Sequence, residues 1–324
     1  MLNRLFGRAA PPAAPAPSPE PPGPPPPTMR PRVLAITHNP VIAQAGGRKA
    51  KDAYGWNDPD ALAQGYISDL QQASHGLVQY EIVERLEVDG FPAKKDSFSY
   101  TPASFDRAWK SRQFHQPDAV DYLQLVHEFK LIEKVDAGQI DEVWLLGFPY
   151  CGYYESIMAG PGAFWCNAPP LAGTEHASRR FVMMGFNYER GVGEMLENMG
   201  HRVESIMSKV YSHTKGEVNL YERFIRYDKK APGQAECGNV HFAPNSERDY
   251  DWGNRRPVVS RCDTWLNFPD LSGPARTVTC ADWGNGDIRK HHVWWLSRLP
   301  HVQGEADSVR WNWWEYVIDP NRVK

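Results

Sequence analysis

The sequence predicts an α/β fold: a parallel or mixed sheet covered by helices, with an irregular, tryptophan-rich C-terminal half. Three observations carry that expectation. Apolar runs of strand length alternate with helical periodicity as far as Tyr211, the order expected of a helix-covered sheet. Several of these runs end in polar or glycine-rich turns, as Thr37 does in His38-Asn39-Pro40. Beyond Tyr211 the periodicity fades into loop sequence, and eight of the twelve tryptophans lie past residue 250.

Residues 1–28 stand apart. Eleven of the seventeen residues from Pro11 to Pro27 are proline, a composition that samples polyproline II and buries no core, so this segment is expected to be disordered. The opening MLNRLFGRAA has basic residues but no apolar stretch of signal-peptide type. The default expectation is therefore a cytoplasmic protein, with secretion the alternative if translation starts elsewhere, and Met29 is a second candidate start. A single domain is expected over 29–324, regular over 29–211 and irregular and aromatic-rich over 212–324.

The first strand is Arg32–Thr37. Asp58-Pro59 opens a helix running through Ala61 to Ala73, with Pro59 at its first position. Val78–Glu87 alternates as a second strand, DGFP turns the chain, and Ser97–Lys110 reads as loop and short helix. Ala119–Val135 has helical spacing throughout. Glu142–Leu146 is a third strand and Phe181–Phe186 a fourth. In sheets of this kind ligands bind beyond the carboxyl ends of the strands. That rule puts His38 and Asn39, Tyr150 to Glu155, and Asn187 to Glu189 on one rim.

Acidic and basic residues nearly balance, 39 against 36, so no general affinity for nucleic acid or an anionic membrane is expected. No apolar run is long enough to span a bilayer. None of the five cysteines has zinc-ribbon spacing. Cys151 with Cys166, and Cys262 with Cys280, could close local loops and leave Cys237 free, but five reduced buried thiols fit equally.

The stretch from Arg180 to Tyr211 carries the candidate chemistry. After its strand, Asn187 is a candidate helix cap and Glu189 falls in the first turn, where a carboxylate complements the helix end. Asn187-Tyr188-Glu189 also resembles the amide–carboxylate arrangement at strand ends in some retaining glycosidases. Val192, Met195, Leu196, Met199, Val203, Ile206, Met207 and Val210 form an apolar face. Opposite them Glu194, Glu197, His201 and Glu204 share an arc of roughly 80°. Such a stripe is either a solvated helix face or a set of groups able to share a proton or ligate a divalent metal. Gly200 could instead end the helix and split the stripe.

Glu189, Glu194, His201 and Glu204 are the expected catalytic residues. Asn187, Tyr150, Glu155, Trp294 and Trp313 are expected to bind substrate, and His241 to complete a metal shell. Asp249, Asp251 and Asn254 supply further oxygens without the spacing of an EF-hand. The expected function is a hydrolase acting on a glycan or peptide, with a divalent metal as candidate cofactor. The alternatives are a non-catalytic glycan-binding protein and a structural or partner-binding domain. An exposed row of tryptophans would favour the binder.

Overall fold

The structure, a computed structural model, describes residues 25–324. Five strands form the central sheet: β1 (Arg32–His38), β2 (Glu81–Val88), β3 (Glu142–Gly147), β4 (Ser156–Ala159) and β5 (Phe181–Asn187). Their order is β2-β1-β3-β5-β4. The first four in that order are parallel, and β4 pairs antiparallel with β5, Met158 opposite Val182. The sheet is thus mixed and mostly parallel. The three long strands expected from apolar runs, β1, β3 and β5, are adjacent at its centre, with Leu145 facing Ile36 on one side and Gly185 on the other. Strand β4 lies in a stretch so rich in Gly, Pro and aromatics that it reads as loop.

Side chains alternate across the sheet as the pleat requires. Val33, Ala35, Trp144, Leu146, Met184 and Phe186 enter one core, and Leu34, Ile36, Val143, Leu145, Phe181 and Met183 enter the other. Helix α1 (Pro59–Ala73) covers the first face. Asp58 caps it by accepting from the amides of Asp60 and Ala61, and Tyr66 packs edge-on against Trp144 and Phe186.

A short helix, α2 (Pro102–Ser111), follows β2. The expected continuous helix over 119–135 is two, α3 (Tyr122–Glu128) and α4 (Leu131–Asp136). Lys130 between them is left-handed, φ 51°, which redirects the chain. Leu125 and Val126 of one helix and Leu131, Ile132 and Val135 of the other then all reach the second core.

Helix α5 (Val192–Val210) runs unbroken through Gly200 and buries its whole expected apolar face. Each of those side chains contributes on the order of 1.5–3 kcal/mol of transfer free energy. Gly200 is retained for closeness, since a Cβ there would stand 2.5 Å from Val240 Cγ2. The same helix buries Arg202, which donates to Glu142 Oε2 at 2.7 Å. Tyr80 and Trp144 also donate to that carboxylate, at 3.1 and 2.9 Å. Burial opposes the Arg202 charge, and Glu142 more than restores it.

The C-terminal half holds short ribbons and turns with two main helices, α6 (Ile288–Leu296) and α7 (Trp313–Ile318). Of its eight tryptophans only Trp311 is even partly exposed. They fill the space between irregular segments and join the cluster that contains Trp144. All five cysteines are buried free thiols, so the two loop-closing disulfides do not form. Among the described residues no helix is long and apolar enough to cross a membrane. The disorder expected of residues 1–28 falls mostly on 1–24, outside the described residues.

Candidate functional site

A polar cleft of about 330 Å³ opens beyond the carboxyl ends of β3 and β5, where ligand sites form in sheets of this kind. Asp118, Tyr150, Glu155, Asn187, Arg190, Glu194, Glu197, Asn198 and Tyr250 line it. Asn198 ties α5 to the strand end by donating to the Gly185 carbonyl at 2.7 Å. Lys94, fully buried, donates to Asp118 Oδ1 and to the Tyr150 carbonyl and so holds the opposite lip.

At one end of the cleft Glu197, His201 and His241 converge. One ligand atom from each lies within 4.8 Å of the others. Glu197 and His201 are one helical turn apart on α5. His241 arrives from a tight turn that Gly238 opens at φ 73°. In that turn Asn239 Oδ1 accepts from the amides of His241 and Phe242. Helix α6 braces it from behind: Trp295 Nε1 donates to the Gly238 carbonyl at 2.9 Å and His292 Nε2 to that of Val240 at 3.2 Å.

His241 Nε2 is 3.0 Å from Glu197 Oε1, and its Nδ1 is 3.1 Å from Asp249 Oδ1. His201 Nδ1 is 2.9 Å from Glu204 Oε2. His201 Nε2 faces Glu155 at 3.7 Å and Glu197 at 3.9 Å. The Tyr250 hydroxyl donates to Glu197 Oε1 at 3.1 Å. Asn167 Nδ2 donates to Glu155.

These contacts bias the protonation of the three groups. Burial would raise Glu197, but hydrogen bonds from His241 and Tyr250 and the nearby His292 hold it below the ordinary range. Burial works against charge on both imidazoles, yet Glu204 raises His201 and Glu197 raises His241.

The expected site residues divide by position. His201, Glu204 and His241 come together, and Glu155 lies against them. Glu194, Asn187 and Tyr150 line the cleft. Glu194 also caps α5 by accepting from the Gly191 amide at 3.1 Å. Glu189 is exposed and does not line the cleft. The helix begins at Gly191, later than expected, because Asn187 Oδ1 accepts from the Glu189 amide and folds 187–190 into a turn. Trp294 and Trp313 are corrected to core residues. Trp313 is fully buried against Phe224 and Trp265, and Trp294 lies against Trp283 and Arg298, so neither offers a face to a ligand.

His38 and Asn39 are buried under the rim, where His38 Nδ1 and Tyr153 Oη share a hydrogen bond of 2.6 Å. Asp251 accepts from Asn254, leaving only Asp249 of that run at the site. Sequence reasoning left Glu197 without a role, although its position one turn before His201 could have flagged it. It missed Tyr250 altogether, and no local signal marks that residue.

The His201–Glu204 edge also borders a second, shallower cleft beside Trp165, an indole 58% exposed. No protein-family model, no curated protein and no solved structure matches this chain.

Proposed function

We propose that the chain is a hydrolase whose reaction centre is the Glu155–Glu197–His201–His241 end of the cleft. The observation that supports this best is the convergence of those four groups from three separate segments beyond the ends of parallel strands. Glu155, half-exposed and beside His201, is the carboxylate best placed to activate a water. Glu194 keeps one oxygen free of its cap and faces the same cleft.

The substrate class follows from charge and shape. Among the described residues Arg190 is the one cation lining a cleft with four carboxylates, of which Asp118 is paired with buried Lys94, a field that disfavours anionic substrates and accepts neutral or cationic ones. Tyr150 and Tyr250 are 43% and 52% exposed at its edge and can stack on a sugar ring. A neutral glycan fits best, with a peptide second.

The test is release of reducing ends from a panel of neutral polysaccharides, and of amines from an unstructured protein, by wild type and Glu155→Gln. Hydrolysis lost by a factor of about 10²–10⁴ in the variant supports the reading. Glycan binding without hydrolysis by the wild type replaces it with a non-catalytic glycan-binding protein, a reading that exposed Trp165 favours.

A further inference from the structure

We infer that Glu197, His201 and His241 bind one divalent ion of the zinc type, with Glu155 beside the open side of the site. The inference deepens the hydrolase reading, because the ion would sit at the same groups. Convergence within 4.8 Å is only its starting point.

The second observation is how each imidazole is held. A metal-bound histidine usually offers one nitrogen to the ion while the other hydrogen-bonds to a carboxylate or carbonyl that fixes tautomer and ring orientation. His201 is arranged that way, with Glu204 accepting from its Nδ1. Asp249 Oδ1 lies 3.1 Å from Nδ1 of His241, and both Nε2 atoms turn toward Glu197. Two unrelated segments of chain thus each bring a histidine with a carboxylate beside its Nδ1. The rings meet nearly edge to face, 81° apart, which lets two Nε2 lone pairs approach one point from different directions.

The third observation is charge. Glu155, Glu197, Glu204 and Asp249 surround two imidazoles, so four carboxylates face the group when both rings are neutral, the form that ligates a metal. Among the described residues none of these four carboxylates meets a lysine or arginine within 4 Å, whereas most other paired carboxylates do. Glu197 is nearly buried, which makes an uncompensated excess costly. A divalent cation bound to the neutral rings offsets two of the four charges, as protonation of both rings does in its absence.

The donor set selects the ion. Two imidazoles with a carboxylate and no thiolate suit zinc and its neighbours rather than calcium or magnesium, which prefer all-oxygen shells. Ligand atoms on a tetrahedral zinc stand roughly 3.4 Å apart, so closure from the present spacing needs side-chain rotation of about an ångström. Three protein ligands leave a position for water facing the cleft, and a zinc ion lowers the pKa of such a water to about 7.

The test uses full-length protein dialysed against chelator and titrated with Zn²⁺ or Co²⁺ by calorimetry, with Co²⁺ also followed by its visible absorption. One ion per chain is expected. Glu197→Gln, His201→Ala and His241→Ala should each weaken it more than 100-fold and abolish the Co²⁺ bands. Glu204→Gln and Asp249→Asn should weaken it about 10–100-fold and alter the bands. Melting temperatures of the metal-free variants show that each still folds. Sub-stoichiometric binding, or binding indifferent to the three ligand variants, overturns the inference. Stoichiometric binding with no hydrolysis leaves the site standing and removes the hydrolase reading. Hydrolysis that persists in chelator while Zn²⁺ and Co²⁺ fail to bind stoichiometrically does the reverse.

Discussion

Gly200 of helix α5 and Val240 of the following half are packed so closely that one added methyl group would leave 2.5 Å to Val240 Cγ2 and 3.1 Å to its Cβ. The contact sets how near the His241 turn lies to Glu197.

Gly200→Ala therefore tests whether that spacing matters. Alanine gains about 1 kcal/mol of helix propensity, but overpacking at a stiff β-branched neighbour costs about 1–3 kcal/mol. Urea denaturation should show a net loss of up to roughly 2 kcal/mol. Adding Val240→Ala, which removes the nearest atom, should recover most of it. Independent, additive effects of the two changes would mean that the turn adjusts freely.

The buried Glu142–Arg202 pair gives a second expectation. Glu142→Gln strands a guanidinium that has no exposure to water, and Arg202→Met strands the carboxylate, so each should cost about 3–5 kcal/mol. The double variant should lose clearly less than the sum of the two. Additive losses in a denaturation cycle would show that the groups do not sense one another.

Acid stability gives a third. Burial pushes His38 down to about 4, so the folded ring, hydrogen-bonded to the Tyr153 hydroxyl, is neutral above that pH. The unfolded ring binds a proton near its ordinary value of about 6.5. Between those limits the unfolded state holds more protons, so stability falls as pH falls from about 6.5 to about 4, by up to about 3 kcal/mol. His38→Asn keeps an acceptor and should flatten the difference in unfolding free energy between pH 6.5 and 4.5. An unchanged slope would assign the loss to other groups.

The sheet was legible because its three central strands are almost wholly apolar and only a buried strand uses such a run. Helix α5 was legible from its spacing, and the stripe did carry Glu197 and His201, which meet His241. Arg202 was not, because a charge on an apolar helix face gives no sign of the glutamate sixty residues earlier that neutralises it. Tyr250 was hidden for a related reason: its contact with Glu197 is made from a loop next to a turn that Trp295 and His292 brace from another helix. The tryptophans misled. Paired Trp294-Trp295 and Trp313-Trp314 could serve either a sugar or a core, and in a half with little regular structure the core claims them.

The bracing of the His241 turn by Trp295 and His292 orders events during synthesis. The sheet, α5 and its half of the cluster are complete some eighty residues before the ribosome releases the helix that steadies the other half. A nascent or truncated chain ending before that helix carries Glu197 and His201 without a settled His241. The position of His241 beside Glu197 is therefore the last part of the cluster to be fixed.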